Sequence, residues 1–153
     1  DEAIPFILDG GGARSDFRLN KLAKVDIFSP NEIETALITG IRPDTLDDCL
    51  RASMAICSQT DVRYVVLKLG ARGCYVYEGK YCDLIAPFVV QAVDPPAAGD
   101  AFTAALATEF LRTGDITASA RYANAVGALT VTTAGAIHSL PTRETVRRFL
   151  EQI

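Results

Sequence analysis

Short apolar runs alternate with amphipathic stretches along this chain. Ile4–Leu8 is apolar and ends at Asp9-Gly10-Gly11-Gly12, as a buried strand does where it enters a loop. Arg18–Lys24 suggests a short helix, and Val25–Phe28 reads as a second strand closed by Ser29-Pro30. From Pro30 the pattern turns helical to about Thr39, with Gly40 as its stop. Pro43–Thr60 predicts a longer amphipathic helix, with Leu46, Leu50, Met54 and Cys57 along one face and Asp44 as its cap. Val62–Leu69 returns to strand. Gly70-Ala71-Arg72-Gly73 turns it into Cys74–Tyr77, and Glu78-Gly79-Lys80 turns again into Tyr81–Ile85, a β-hairpin.

The remainder is helical in pattern. After an apolar approach at Val93 and the stiff pair Pro95-Pro96, Phe102, Ala105, Leu106 and Phe110 recur at helical spacing. Asp115-Ile116-Thr117 caps a further helix reaching about Thr132, Thr133–Ser139 is a loop, and Thr142–Gln152 is a terminal helix. Strands alternating with helices predict an α/β chain whose parallel sheet is covered on both faces, with ligands outside the strand C-termini. There is no repeat, low-complexity segment or linker, so residues 1–153 are expected to form a single domain.

Composition narrows the partners. With 153 residues, 49% of them hydrophobic, the chain can bury a core. A net charge of −4 without any basic run argues against nucleic acid and against an anionic membrane surface. No apolar segment approaches membrane-spanning length, and no signal-peptide pattern opens the chain. Cys49, Cys57, Cys74 and Cys82 lack CxxC spacing, and His138 is the one histidine, so buried reduced thiols in a cytoplasmic protein are expected rather than a zinc site. A Walker A loop is excluded: Gly73 to Gly79-Lys80 has the wrong spacing, and Tyr81 stands where Ser or Thr is required.

Candidate chemistry centres on Ala97-Ala98-Gly99-Asp100. These small residues leave the first-turn amides of the following helix uncovered, and the helix dipole adds partial positive charge there. An anion can approach the backbone closely, beside the Asp100 carboxylate. That pairing suits phosphoryl transfer, the amides holding the moving group and the acid accepting a proton from the attacking hydroxyl. Ordinary helix capping accounts for the same residues on spacing alone.

The run Asp94-Pro95-Pro96-Ala97-Ala98-Gly99-Asp100-Ala101-Phe102 resembles the second signature of the ribokinase-like (PfkB) sugar kinases, usually D-T-x-(G/A)-A-G-D-x-F, with Pro95 in place of the Thr. Ser29-Pro30-Asn31-Glu32-Ile33-Glu34 is similar to the family's N-x-x-E motif, and Lys68-Leu69-Gly70-Ala71-Arg72-Gly73 to its T-L-G-x-x-G turn, with Lys68 for Thr. The resemblance runs from about Ile4 to Leu150 and covers the later half of a typical member.

The resemblance implies a three-layer ribokinase-like fold with a mostly parallel sheet, represented by its C-terminal, nucleotide-binding half. It implies ATP-dependent phosphorylation of a sugar hydroxyl, with Asp100 as base and Ala97, Ala98 and Gly99 completing the anion hole. Asn31 and Glu34 would order Mg²⁺, directly or through water. Lys68, Gly70, Arg72, Gly73 and Asn124 would bind ATP, Asn124 lying near the adenine. Thr130, Thr133, Gly135 and Ser139, with the backbone of Asp94 and Pro96, would enclose K⁺. Most of the family's sugar-binding residues belong to its first half, so the chain is expected to be a fragment or short gene product that self-associates or joins that half. Two rivals stand beside this reading: a non-catalytic nucleotide-binding or assembly module, and a family kinase acting on a nucleoside or vitamin alcohol.

Overall fold

The structure is a computed structural model and describes residues 4–14, 16–21, 24–94 and 96–153. Among them, five strands and five α-helices form in the order β1 (Ile7–Asp9), β2 (Ile27–Ser29), α1 (Glu32–Thr39), α2 (Leu46–Cys57), β3 (Tyr64–Lys68), β4 (Cys74–Glu78), β5 (Tyr81–Ile85), α3 (Ala98–Thr113), α4 (Ile116–Thr130) and α5 (Arg143–Glu151). Contacts gather into two compact units, Asp1–Gly70 with Cys74–Leu84, and Ala71–Gly73 with Ile85–Ile153. No linker composition announces this division of a chain whose sequence reads as one unit.

The first unit holds the five-stranded sheet, in the order β1-β2-β3-β4-β5. Its first three strands are parallel, in the register Leu8–Phe28–Val65, but β4 runs antiparallel to β3, with Leu67 opposite Tyr75. The sheet is therefore mixed, with its first three strands parallel, as the mostly parallel sheet of the resemblance implies. A parallel link needs a crossover of a dozen residues, whereas β3 and β4 are joined only by the tight Gly70–Arg72 turn and Gly73. One sheet face carries Leu8, Phe28, Val65, Leu67, Tyr75 and Tyr77, packed with Cys49 and Ile56 of α2.

The helices of this unit differ in detail from the pattern. Thr45, not Asp44, caps α2, in a reciprocal box with Asp48. The stripe that α2 buries is Cys49, Ala52, Ser53 and Ile56, while Leu46 and Met54 are more than half exposed. Small residues face inward because Phe28, Tyr75 and Tyr77 already fill the volume over the sheet. Leu19–Lys21 forms a single 3₁₀ turn where a helix to Lys24 is expected; Leu22 and Ala23 lie outside the described residues. All four cysteines are free thiols, and Cys82 is exposed rather than buried. Burial pushes the Tyr75 hydroxyl well above its ordinary pKa, helped by its hydrogen bond with Cys82.

The second unit is helical. α3 ends at Gly114 in the left-handed conformation, and Asp115 immediately caps α4 by accepting from the Ala118 N–H at 2.9 Å. The two helices pack through small residues, with Ala101, Ala105, Ala120 and Ala123 all buried. Glu109 is buried on α3 and holds two arginines: Arg112 donates to its Oε1 at 2.5 Å and Arg143 of α5 to its Oε2 at 3.1 Å. The Arg112 hydrogen bond lowers the Glu109 pKa from the ordinary glutamate value. No helix among the described residues is long and apolar enough to cross a membrane.

The lowered pKa sets a sign. The contribution of Glu109 is complete above the unfolded glutamate value and is lost as pH falls through the lower folded value. Glu109→Gln should cost about 1–2 kcal/mol near neutral pH, because both arginines remain partly solvated. The gap in melting temperature between the two forms should close in thermal scans as pH falls below the ordinary glutamate range. A gap independent of pH would remove the ion network from the stability of the α3–α5 seam.

Candidate active site

In the second unit, the start of α3 is set apart from every other helix start among the described residues. Asn31, Thr45, Asp115 and Thr142 cap α1, α2, α4 and α5 through side-chain oxygens. Ala97 caps α3 with no side-chain hydrogen bond, and the first intrahelical bond runs from the Ala101 N–H to the Ala97 carbonyl. The N–H groups of Ala98, Gly99 and Asp100 therefore precede the helix ladder, with exposed Gly99 and Asp100 beside them. Gly127 of α4 supports this end: a Cβ there would lie 3.7 Å from the Ala98 carbonyl oxygen.

The loops around this helix start are tied together. Val93 and Asp94 both donate their N–H to the Val131 carbonyl, at 2.7 and 3.1 Å. The Asp94 carboxylate accepts from the Gly135 N–H at 2.9 Å, where Gly135 has φ +92. Of the residues expected to enclose a cation, Asp94 and Gly135 are thus brought together. Thr133 and Pro96 are both exposed. The other two hydroxyls are locally engaged: buried Thr130 donates to the Val126 carbonyl at 2.8 Å, and Ser139 to the Ala136 carbonyl at 2.7 Å. Each can still accept through a lone pair. Pro95, the departure from the signature, lies outside the described residues.

The first unit gathers a different set at the C-terminal ends of its parallel strands. Lys68 ends β3, donates its N–H to the Pro30 carbonyl at 2.9 Å, and bridges in parallel to Asn31. Its ammonium meets the Asp9 carboxylate at 2.6 Å, and the other Asp9 oxygen accepts from the Gly11 N–H at 2.7 Å. Lys68, expected as a direct ATP contact, is nearly buried in an ion pair. Asp9 is a residue that the sequence reading missed; its signal is the acid at the end of the first strand, immediately before the glycines.

Asn31 and Glu34 form a reciprocal capping box. The Glu34 N–H donates to Asn31 Oδ1 at 2.9 Å, and the Asn31 N–H donates to Glu34 Oε2 at 2.6 Å. Gly10 packs on this box, since a Cβ there would come within 2.6 Å of Glu34 Oε2 and 2.9 Å of Pro30. The capping role leaves Glu34 Oε1 for water or a metal-bound water. No cluster of three or more His, Cys, Asp or Glu among the described residues is placed to hold a metal by itself. That suits Mg²⁺, which keeps several waters and relies on few carboxylates. Gly70, with φ +55, faces the Glu32 carboxylate, 3.7 Å from where a Cβ would be.

Two further expected ATP contacts belong to the second unit and are engaged within the chain. Gly73 has φ +88, and a Cβ on it would fall on the Ile85 carbonyl oxygen and within 2.9 Å of the Pro87 nitrogen. Its open side thus admits its own backbone, where the sequence predicts room for a ligand. Asn124 is buried on α4 and donates its amide to the Ile85 and Ala86 carbonyls at 3.1 and 3.2 Å. Arg72 is half-buried in the turn just ahead of Gly73.

Residues 6–143 match the profile of pfkB family carbohydrate kinases. The chain belongs to that family. Ribokinase from Arabidopsis thaliana is 35% identical over 151 residues, which is 97% of this pfkB-family chain and 39% of the plant protein. The solved structure of Arabidopsis ribokinase with ribose and ATP superposes at a TM-score of 0.87 with 31% identity, covering 96% of this chain and 47% of that one. A ribokinase II-type protein from E. coli, solved with ATP and Mg²⁺, gives 0.75 at 27% identity, over 88% of this chain and 41% of that one. The chain therefore spans two-fifths to about half of the length of these relatives. The mixed sheet and the helices of this pfkB-family chain are those of the ribokinase-like fold.

The Asp9–Lys68 pair yields a stability test. Asp9→Ala takes the carboxylate from a nearly buried ammonium and should lower stability by about 2–3 kcal/mol, below the usual cost of a fully buried pair because Asp9 is partly solvated. Adding Lys68→Met should recover part of that loss. Urea denaturation of the single and double variants measures the coupling, and purely additive losses would refute it.

Proposed function

We propose that this chain carries the nucleotide-binding and phosphoryl-transfer side of an ATP-dependent kinase that phosphorylates a sugar hydroxyl. The observation that carries the proposal is the uncapped start of α3, with the Ala98, Gly99 and Asp100 amides ahead of the helix ladder and Asp100 in the first turn of the family signature. In this reading the amides and the helix dipole stabilise negative charge on the transferring phosphoryl group. Asp100 accepts the proton of the acceptor hydroxyl. Asn31 and Glu34 order Mg²⁺ through its waters, the metal neutralising phosphate charge when bound. Lys68, Gly70, Arg72 and Gly73 border the nucleotide. The acceptor is a pentose or related sugar, as ribose is in the Arabidopsis structure. The enzyme works in the cytoplasm and associates with a second copy or with the other part of a full-length kinase.

Asp100→Asn keeps the shape of the helix start and removes the proton acceptor. In the full-length kinase that carries this chain, turnover of ribose with ATP–Mg should fall roughly 10²–10⁴-fold, while ATP affinity by calorimetry stays within about twofold. Wild-type turnover by the variant, with chemistry rate-limiting, would refute the base assignment. ATP binding without phosphorylation of any pentose or hexose would favour the nucleotide-binding module instead.

A monovalent cation fits beside the loop that Asp94, Val131 and Gly135 fasten to the start of α3. K⁺ should raise turnover over that in a large organic cation by fixing the anion hole. Equal rates in the two salts would remove the cation from the reaction.

A further inference from the structure

The resemblance puts Asn124 beside the adenine, but the side chain is otherwise occupied. Its amide nitrogen donates to the Ile85 and Ala86 carbonyls, at 3.1 and 3.2 Å. Its location is buried in α4, so these bonds replace water rather than compete with it. The amide nitrogen is thus engaged by the chain's own backbone, and what it leaves for a base is the Oδ1 acceptor, which can meet only a donor and not the ring nitrogens of a purine.

The segment held by Asn124 is the segment that Gly73 accommodates. The Ile85 carbonyl oxygen and the Pro87 nitrogen occupy the space that a Cβ on Gly73 would take. Gly73 also adopts φ +88, which only glycine reaches without strain. Gly73, the Ile85–Pro87 backbone and Asn124 therefore form one stack: helix side chain, extended backbone, turn.

We infer that Asn124 is a positioning residue, setting the Ala71–Gly73 part of the nucleotide turn through the Ile85–Ala86 backbone rather than reading the base. The inference rests on the nucleotide-binding reading for its consequence, but not for the lock itself. Losing both donors frees the Ile85–Ala86 carbonyls and loosens the backbone packed on Gly73. Gly73→Ala disturbs the same stack from the other side. The two substitutions should therefore be strongly non-additive.

Two measurements test this. Hydrogen exchange of the nucleotide-free chain should show faster exchange at residues 71–74 and 85–88 in Asn124→Ala, with α5 unchanged. Mg–ATP and Mg–GTP titrations should show both nucleotides weakened by the same factor, roughly tenfold, so that their ratio is kept. Gly73→Ala should do the same, and the double variant should be little worse than either. Asn124→Leu keeps roughly the volume and removes the donors without adding charge, and takes the place of Asn124→Ala should the alanine variant not fold. An ATP-to-GTP ratio that changes with Asn124 while Gly73→Ala preserves it would overturn the inference in favour of base reading. Unchanged exchange at residues 71–74 in a folded variant would also overturn it. A wild-type chain that binds neither nucleotide would sink the nucleotide-binding reading, whereas accelerated exchange would still establish the lock.

Discussion

Lys68 fastens the ends of three parallel strands, and the corner of the site in the sheet unit depends on it. Its N–H reaches Pro30, just past β2, and its ammonium reaches Asp9, the last residue of β1. A charged side chain this nearly buried is tolerated only with its charge compensated, so Asp9 is held at the sheet end. The rest follows by contact. Asp9 orders the glycine loop through the Gly11 N–H, and Gly10 settles against Pro30 and Glu34 where no Cβ would fit. Glu34 is thereby kept in the capping box that positions Asn31. The carboxylate, amide and ammonium of this corner are ordered by one another.

The helical unit solves the opposite problem. There the start of α3 carries backbone donors without a side-chain cap, and an uncapped helix start costs about 1 kcal/mol relative to a capped one. The cost is spread over packing. Small buried residues along the α3–α4 seam bring the helices close, with Gly127 of α4 next to the Ala98 carbonyl, and the Asp94–Gly135 bond fixes the approach loop. The start of α3 is held by its flanks, so its amides need no cap of their own.

Local signals in the sequence carried most elements. The Gly40 stop, the Asp115 cap and the hairpin at Gly79 stand where the residues place them, because each is decided by a single backbone preference. The signature loop was legible for the same reason. What could not be read was set by partners distant in sequence. Periodicity alone cannot choose which of two adjoining stripes of α2 turns inward when aromatic residues of the sheet compete for the volume. Asp9 escaped notice because its partner lies 59 residues away.

The Asp9–Lys68 pair also accounts for a departure from the family motif. Where Thr is usual at the start of the T-L-G-x-x-G turn, this chain has Lys68. A threonine hydroxyl at that position would donate one hydrogen bond but no charge, leaving the Asp9 carboxylate partly desolvated at the sheet end. Lysine supplies the charge and, with its long stem, the reach across from β3 to β1. Lys68 and Asp9 therefore act as one electrostatic unit at this sheet end. By the same reasoning, Gly73 and Asn124 are constrained by the chain's own backbone before any nucleotide is considered. Motif glycines and amides in such a site hold the protein's shape as well as its ligand, and the contacts each makes at home decide which role a substitution disturbs first.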